Sequence, residues 1–181
     1  MIRHYTEIYR QETLSRFSME FAGFRSAVMT ELRFSTTAHY TSDGLMMIKQ
    51  ENAQAVVQTA SGSAVELVFH LIERVEIKQM GPFSGGTITL SGDDEENIRA
   101  TVVFDGLMVI CERLFYRHRP EWQPGRFSRL RGEIPTPEAI EAYLQDDDWR
   151  ECSECAEAWF DPEEFSYCPE CGSLTQLYVD G

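Results

Sequence analysis

The sequence predicts an α+β protein: an N-terminal antiparallel β domain with a leading and a closing helix, then a small C-terminal unit built round paired cysteines. Three observations predict it. Apolar residues recur at intervals of three and four near residues 11–32 and again near 106–118. Between those segments they alternate or form short continuous runs, separated by turn-forming residues. Four of the five cysteines fall into two C-x-x-C pairs within the last thirty residues.

At 181 residues the chain supports one domain with a real core plus an appendage too small to be stable without a staple. We divide it into a mainly β domain over 1–118, a linker over 119–137 and a C-terminal unit over 138–181. Hydrophobic residues make up 43% and charged residues 25%, a globular composition that excludes a disordered chain.

Leu14, Phe17, Phe21, Phe24, Val28 and Leu32 line one face of a helix over about 11–32. A strand is the alternative there, because Phe17, Met19 and Phe21 also alternate. Strands follow over about 33–104: Leu45–Lys49, Ala55–Thr59, Val65–Lys78, Thr87–Leu90 and Ile98–Phe104. Ser42-Asp43-Gly44, Ser61-Gly62-Ser63, Gly81-Pro82, Gly85-Gly86 and Gly92-Asp93-Asp94 supply the turns, with Gly81–Gly86 read as a hairpin connection. Leu107, Ile110, Cys111, Leu114 and Phe115 return to helical spacing and predict a closing helix at about 106–118.

Several antiparallel strands followed by one amphipathic helix, with the stretch HLIERVEIKQMGPFSGGTITLSGDD as its most suggestive part, resemble the bacterial pleckstrin-homology-like and GRAM-type domains over residues 35–118. The leading helix departs from that pattern. Some members of the family bind phosphoinositides, but the strand connections here carry no basic cluster that would transfer the property.

Pro120, Pro124, Gly125, Gly132, Pro135 and Pro137 break any regular element and mark the linker. Thr136-Pro137-Glu138 then starts a short helix, with Thr136 as N-cap and Pro137 at the first helical position. It runs through Ile140, Tyr143 and Leu144 toward Asp146-Asp147-Asp148.

Cys152-Ser-Glu-Cys155 and Cys168-Pro-Glu-Cys171-Gly172 are two knuckles separated by twelve residues. Each two-residue spacer turns both sulfurs of a pair toward one point, and two pairs supply four thiolates for a closed, tetrahedral, structural Zn²⁺. Four protein ligands leave no position for a substrate. The segment resembles the zinc-ribbon family, which implies strands at Trp159–Phe160, Phe165–Tyr167 and Leu174–Val179. A redox-active pair and an iron-loaded site are the competing readings.

The formal charge is −14; residues 1–80 hold 9 acidic and 8 basic side chains, residues 81–181 hold 21 and 8. So acidic a C-terminal half repels nucleic-acid phosphates. The only basic stretch, Arg113, Arg117, Arg119, Arg126, Arg129 and Arg131, has Tyr116, His118, Trp122 and Phe127 among it and is a candidate partner surface; intramolecular counter-charge is the competing reading. Cys111 reads as a small buried hydrophobe, and His4, His39, His70 and His118 fit no catalytic motif. With no signal peptide, no apolar stretch of about 18 residues and paired cysteines suited to a reducing compartment, a cytoplasmic location is expected. Together these features predict a non-enzymatic binding or adaptor protein with a protein partner. The alternatives are a nucleic-acid-associated protein using residues 113–131 and an enzyme with a site assembled in the β domain.

Overall fold

A computed structural model describes residues 5–35, 39–41, 44–46, 52–78, 83–92, 97–119, 134–142, 149–154, 158–160, 167–168 and 171–173. In chain order the elements are β1 (Thr6–Glu7), α1 (Gln11–Phe21), a 3-10 turn (Ala22–Phe24), β2 (Val28–Ser35), β3 (His39–Thr41), β4 (Gly44–Met46), β5 (Asn52–Gln58), β6 (Ala64–Ile77), β7 (Phe83–Ser84), β8 (Thr87–Ser91), β9 (Arg99–Phe104), β10 (Leu107–Arg119), α2 (Pro137–Glu141), β11 (Trp149–Glu151) and β12 (Ala158–Phe160). The main sheet has the order β7-β2-β5-β6-β10-β9-β8, with β1 also on β10, and it curls into a half-barrel. All its pairings are antiparallel. β3–β4 and β11–β12 form separate ladders.

The leading helix is shorter than its apolar spacing predicts. It buries Leu14, Phe17 and Phe21, with the Thr13 hydroxyl accepting from the Tyr9 and Arg10 amides at 3.2 Å. It then ends abruptly, because Ala22, Gly23 and Phe24 all take positive φ, at 52°, 58° and 65°. For residues other than glycine that conformation costs about 1–2 kcal/mol each. Burial of Phe24 offsets it: its ring lies 4.9 Å from Phe17 and 5.7 Å from Phe104. Val28 and Leu32, placed by their spacing on the helix, instead belong to β2.

The closing helix expected at 106–118 is a strand. β10 pairs with β6 from Leu107↔Ile77 to Arg119↔Ala64, with a register shift at Ile110/Cys111. Core-facing residues on β10 are Leu107, Val109 and Cys111, then Leu114 and Tyr116, so the strand changes face between Cys111 and Leu114, just past the register shift. β6 changes parity at the same level, from Val65, Leu67 and Phe69 to Ile72, across Leu71 with φ 54°. A bulge that flips the faces of a strand inserts a spacing of three into a period of two, and that mimicked a helix. The helix on which the pleckstrin-homology-like order depended is therefore absent from that position.

β7 and β8 stand at opposite ends of the sheet order, so Gly81–Gly86 is not a simple hairpin connection. The chain crosses the seam at Gly85-Gly86, where the Gly85 amide donates to the Ala27 carbonyl (3.1 Å) and the Gly86 amide to the Phe24 carbonyl (2.9 Å). A Cβ on Gly86 would lie 2.6 Å from the Phe104 ring, so only glycine fits.

The sheet is buried on both faces along its central strands. One face carries the core with Phe17, Phe24, Leu67 and Val109. On the other, Val68 and Phe115 pack against Ile134, Ile140 and Tyr5. On that second face lies Glu66, fully buried. Its carboxylate accepts from the Tyr5 hydroxyl (2.6 Å), from the Gln54 amide and from Arg117 Nε (2.8 Å), with Arg119 Nη1 at 3.7 Å. Burial alone pushes this carboxyl up, but the two guanidiniums and the hydrogen bonds outweigh it and hold it at about 2, below its ordinary 4.5.

Replacing Glu66 by Gln strands Arg117 without its charge partner in a site closed to water. We expect a loss of about 3–5 kcal/mol at neutral pH by denaturant titration. The native-state pKa lies below the unfolded one, so the wild-type advantage is complete above about pH 4.5 and shrinks as pH falls toward 2. A penalty independent of pH across that window would contradict this assignment.

Candidate metal centre

The C-terminal unit is tied to the sheet through α2. The Thr136 hydroxyl accepts from the Ala139 amide at 3.2 Å and Pro137 opens the helix, as the sequence predicts. Ile140 packs into the cluster with Phe115 and Val68, and Glu141 receives Arg113 at 2.7 Å. Trp149, first residue of β11, donates its indole N–H to the Ala139 carbonyl at 3.0 Å and meets the Tyr5 ring edge-on at 5.9 Å. β11 then pairs with β12, Arg150 opposite Trp159, and delivers Cys152 immediately after Glu151.

Cys152 and Cys168 are buried around Trp159, at 3% and 1% exposure, whereas Cys171 is exposed. The Cys152 and Cys171 sulfurs lie 3.5 Å apart, and the three Sγ atoms fall within 4.8 Å of one another. Around the second knuckle the Gly172 amide donates to the Cys168 carbonyl (2.9 Å) and the Cys168 amide to the Ser173 carbonyl (2.8 Å). Gly172 takes φ 73°, which lets the chain turn back under the sulfurs. Ser173 Oγ, 3.2 Å from Cys171 Sγ, can donate to a thiolate.

Four thiolates at about 2.3 Å round a tetrahedral ion stand about 3.8 Å from one another. The three sulfurs fit that spacing and could hold a metal ion. Cys155, the predicted fourth ligand, lies outside the described residues, as do Phe165, Ser166 and Leu174–Val179 of the expected ribbon strands.

The predicted basic surface divides. Arg113 is bound bidentately by Glu7, at 2.7 and 2.9 Å, besides its bond to Glu141. Arg117 and Arg119 are buried and turn toward Glu66. Intramolecular counter-charges therefore take these three, although they are Glu66, Glu7 and Glu141 and not the acidic runs at Asp93–Glu96 or Asp146–Asp148. Arg126, Arg129 and Arg131 lie outside the described residues.

No nucleophile and base stand together among the described residues. Burial pushes the Cys111 thiol up to about 12, which leaves it an inert apolar filler. His70 is buried, with Nδ1 2.9 Å from Asn52 Oδ1 and its ring edge-on to Phe115. Burial and then Arg113 lower its pKa to about 4. Sequence reasoning passed over the Glu66 cluster, although an acid flanked by valine and leucine in a long apolar run was its signal.

A Cys168→Ser variant removes one buried sulfur from the three. Elemental analysis should find bound metal falling from about one ion per chain to a small fraction of that, while β-sheet circular dichroism is retained. Undiminished metal content would place the ion elsewhere. No protein-family model, curated protein or solved structure matches this chain.

Proposed function

We propose that the chain is a non-enzymatic binding protein whose C-terminal unit is a zinc ribbon, with one structural Zn²⁺ held by Cys152, Cys155, Cys168 and Cys171 and a protein as its partner. The convergence of three of those sulfurs is the observation that carries it. A unit of this size buries too little apolar surface to fold alone, and metal binding supplies the missing free energy. The ion orders the ribbon; the residues that anchor the ribbon are Trp149 and Tyr5.

The curled antiparallel sheet is read as a binding scaffold of pleckstrin-homology-like type on the strength of its strands alone. The net charge of −14 and the inward turn of Arg117 and Arg119 favour a protein partner over a nucleic acid. Two facing cysteine pairs held as thiolates suit a reducing, cytoplasmic environment. No helix among the described residues is long and apolar enough to cross a membrane.

The test is a tagged pull-down with and without nuclease, beside a Cys168→Ser/Cys171→Ser variant. A specific protein that survives nuclease and is lost with the variant is the expected outcome. Recovery of nucleic acid in its place, in a complex that dissociates steeply with salt, would overturn the reading.

A further inference from the structure

A groove of about 400 Å³ runs between the C-terminal half of α1, the left-handed turn after it and β8. Its apolar floor is the buried Phe17 and Ile88; Ser18 is half-buried, and Ala22, Arg25 and Thr87 are exposed along it. Among the described residues β8 is the last strand of the sheet order and pairs only with β9. In an antiparallel edge strand, alternate residues direct their N–H and C=O groups away from the partner strand. Among the described residues none of those groups between Thr87 and Ser91 finds a second backbone partner.

Proteins usually blunt such an edge with lysine, proline, a bulge or a covering element. β8 reads Thr-Ile-Thr-Leu-Ser, with no charge and no proline, in a chain that is otherwise 25% charged. α1 stands beside it without closing the groove. Arg25 is exposed and makes no ion pair among the described residues. The turn that shapes this wall, Ala22–Phe24, holds two residues other than glycine at positive φ, and strain of that kind concentrates at ligand clamps.

We propose that β8 and this groove bind an extended segment of a partner protein, which adds as a strand to the edge left open among the described residues and sets an acidic side chain against Arg25. The backbone ladder supplies affinity and the apolar floor takes one alternate side chain of the segment. Charge complementarity at Arg25 selects a carboxylate-bearing segment over a basic one. At physiological salt the distant acidic surface is screened beyond about 8 Å and does not cancel that contact. The inference adds a binding surface to the binding-protein reading and does not depend on the metal.

The experiment pans random heptapeptides, displayed with free C-termini, on the full chain, then measures the synthetic binders by titration and by amide shifts of the ¹⁵N-labelled protein. Binders should carry an acidic side chain, keep their affinity when the C-terminus is amidated, shift the amides of Thr87–Ser91 and lose affinity about ten-fold or more when alternate peptide nitrogens are methylated. Arg25→Glu, an exposed change that leaves the core untouched, should weaken them about ten-fold. The Cys168→Ser/Cys171→Ser variant should bind them like the wild type, which separates this proposal from the role of the C-terminal unit. Absence of binders, shifts confined to other strands, a concentration-dependent dimer through β8, or indifference to N-methylation would overturn it.

Discussion

The carboxylate of Glu66 is the constraint around which the fold is arranged. It lies in the middle of the sheet with no access to water, and it is bonded to Tyr5 from the N-terminal segment, to Gln54 on β5 and to Arg117 on β10. A buried ion pair adds little net stability, because desolvating both charges cancels most of their attraction. What this one enforces is parity. A one-residue slip of β6 would turn Glu66 into the core facing Phe17, where no partner could satisfy it, and Leu67 out of it, so the registers of β5, β6 and β10 are specified together.

From that fixed register the rest of the molecule follows in two directions. Ala53, Ala55 and Val57 of β5, Val65, Leu67, Phe69 and Ile72 of β6 and the inward residues of β10 close the core over α1, and Phe24 locks the strained turn that ends the helix. The opposite face would expose Val68 and Phe115 if nothing covered it; Tyr5, Ile134 and α2 do so. α2 in turn receives the Trp149 indole, and through β11 the sheet reaches Cys152. The cysteine cluster is thus the last member of a continuous packed series and is not a freely tethered appendage among the described residues.

Much of this was legible in the residues. The hairpin at Ser61-Gly62-Ser63, the long strand over Val65–Lys78, the cap at Thr136 and the converging cysteines each have local causes: a positive φ at Gly62, unbroken β-branched and apolar runs, a hydroxyl at the N-cap, a two-residue knuckle. What failed was periodicity wherever a strand changes face. Cys111 and Leu114 stand three apart because β10 and β6 share an irregularity, and nothing in a single sequence distinguishes that from a helical step. The same holds at the end of α1, where Phe24 and Val28 continue a helical spacing although one sits in a left-handed turn and the other begins a strand. The inward turn of Arg117 and Arg119 depends on a tertiary partner about fifty residues away in the sequence, and for that reason these two members of the basic stretch lie in the interior.

The central claim is that the cysteine cluster holds a metal as a closed thiolate site that completes the fold. X-ray absorption spectroscopy at the zinc edge of the purified full chain tests it most directly, since it counts the ligands and measures their distances. Four sulfurs at about 2.3 Å, with no lighter ligand, are the result this account requires. A shell containing oxygen or nitrogen at about 2.0–2.1 Å would mean an open site, and with it a chemistry that contradicts a purely structural ion.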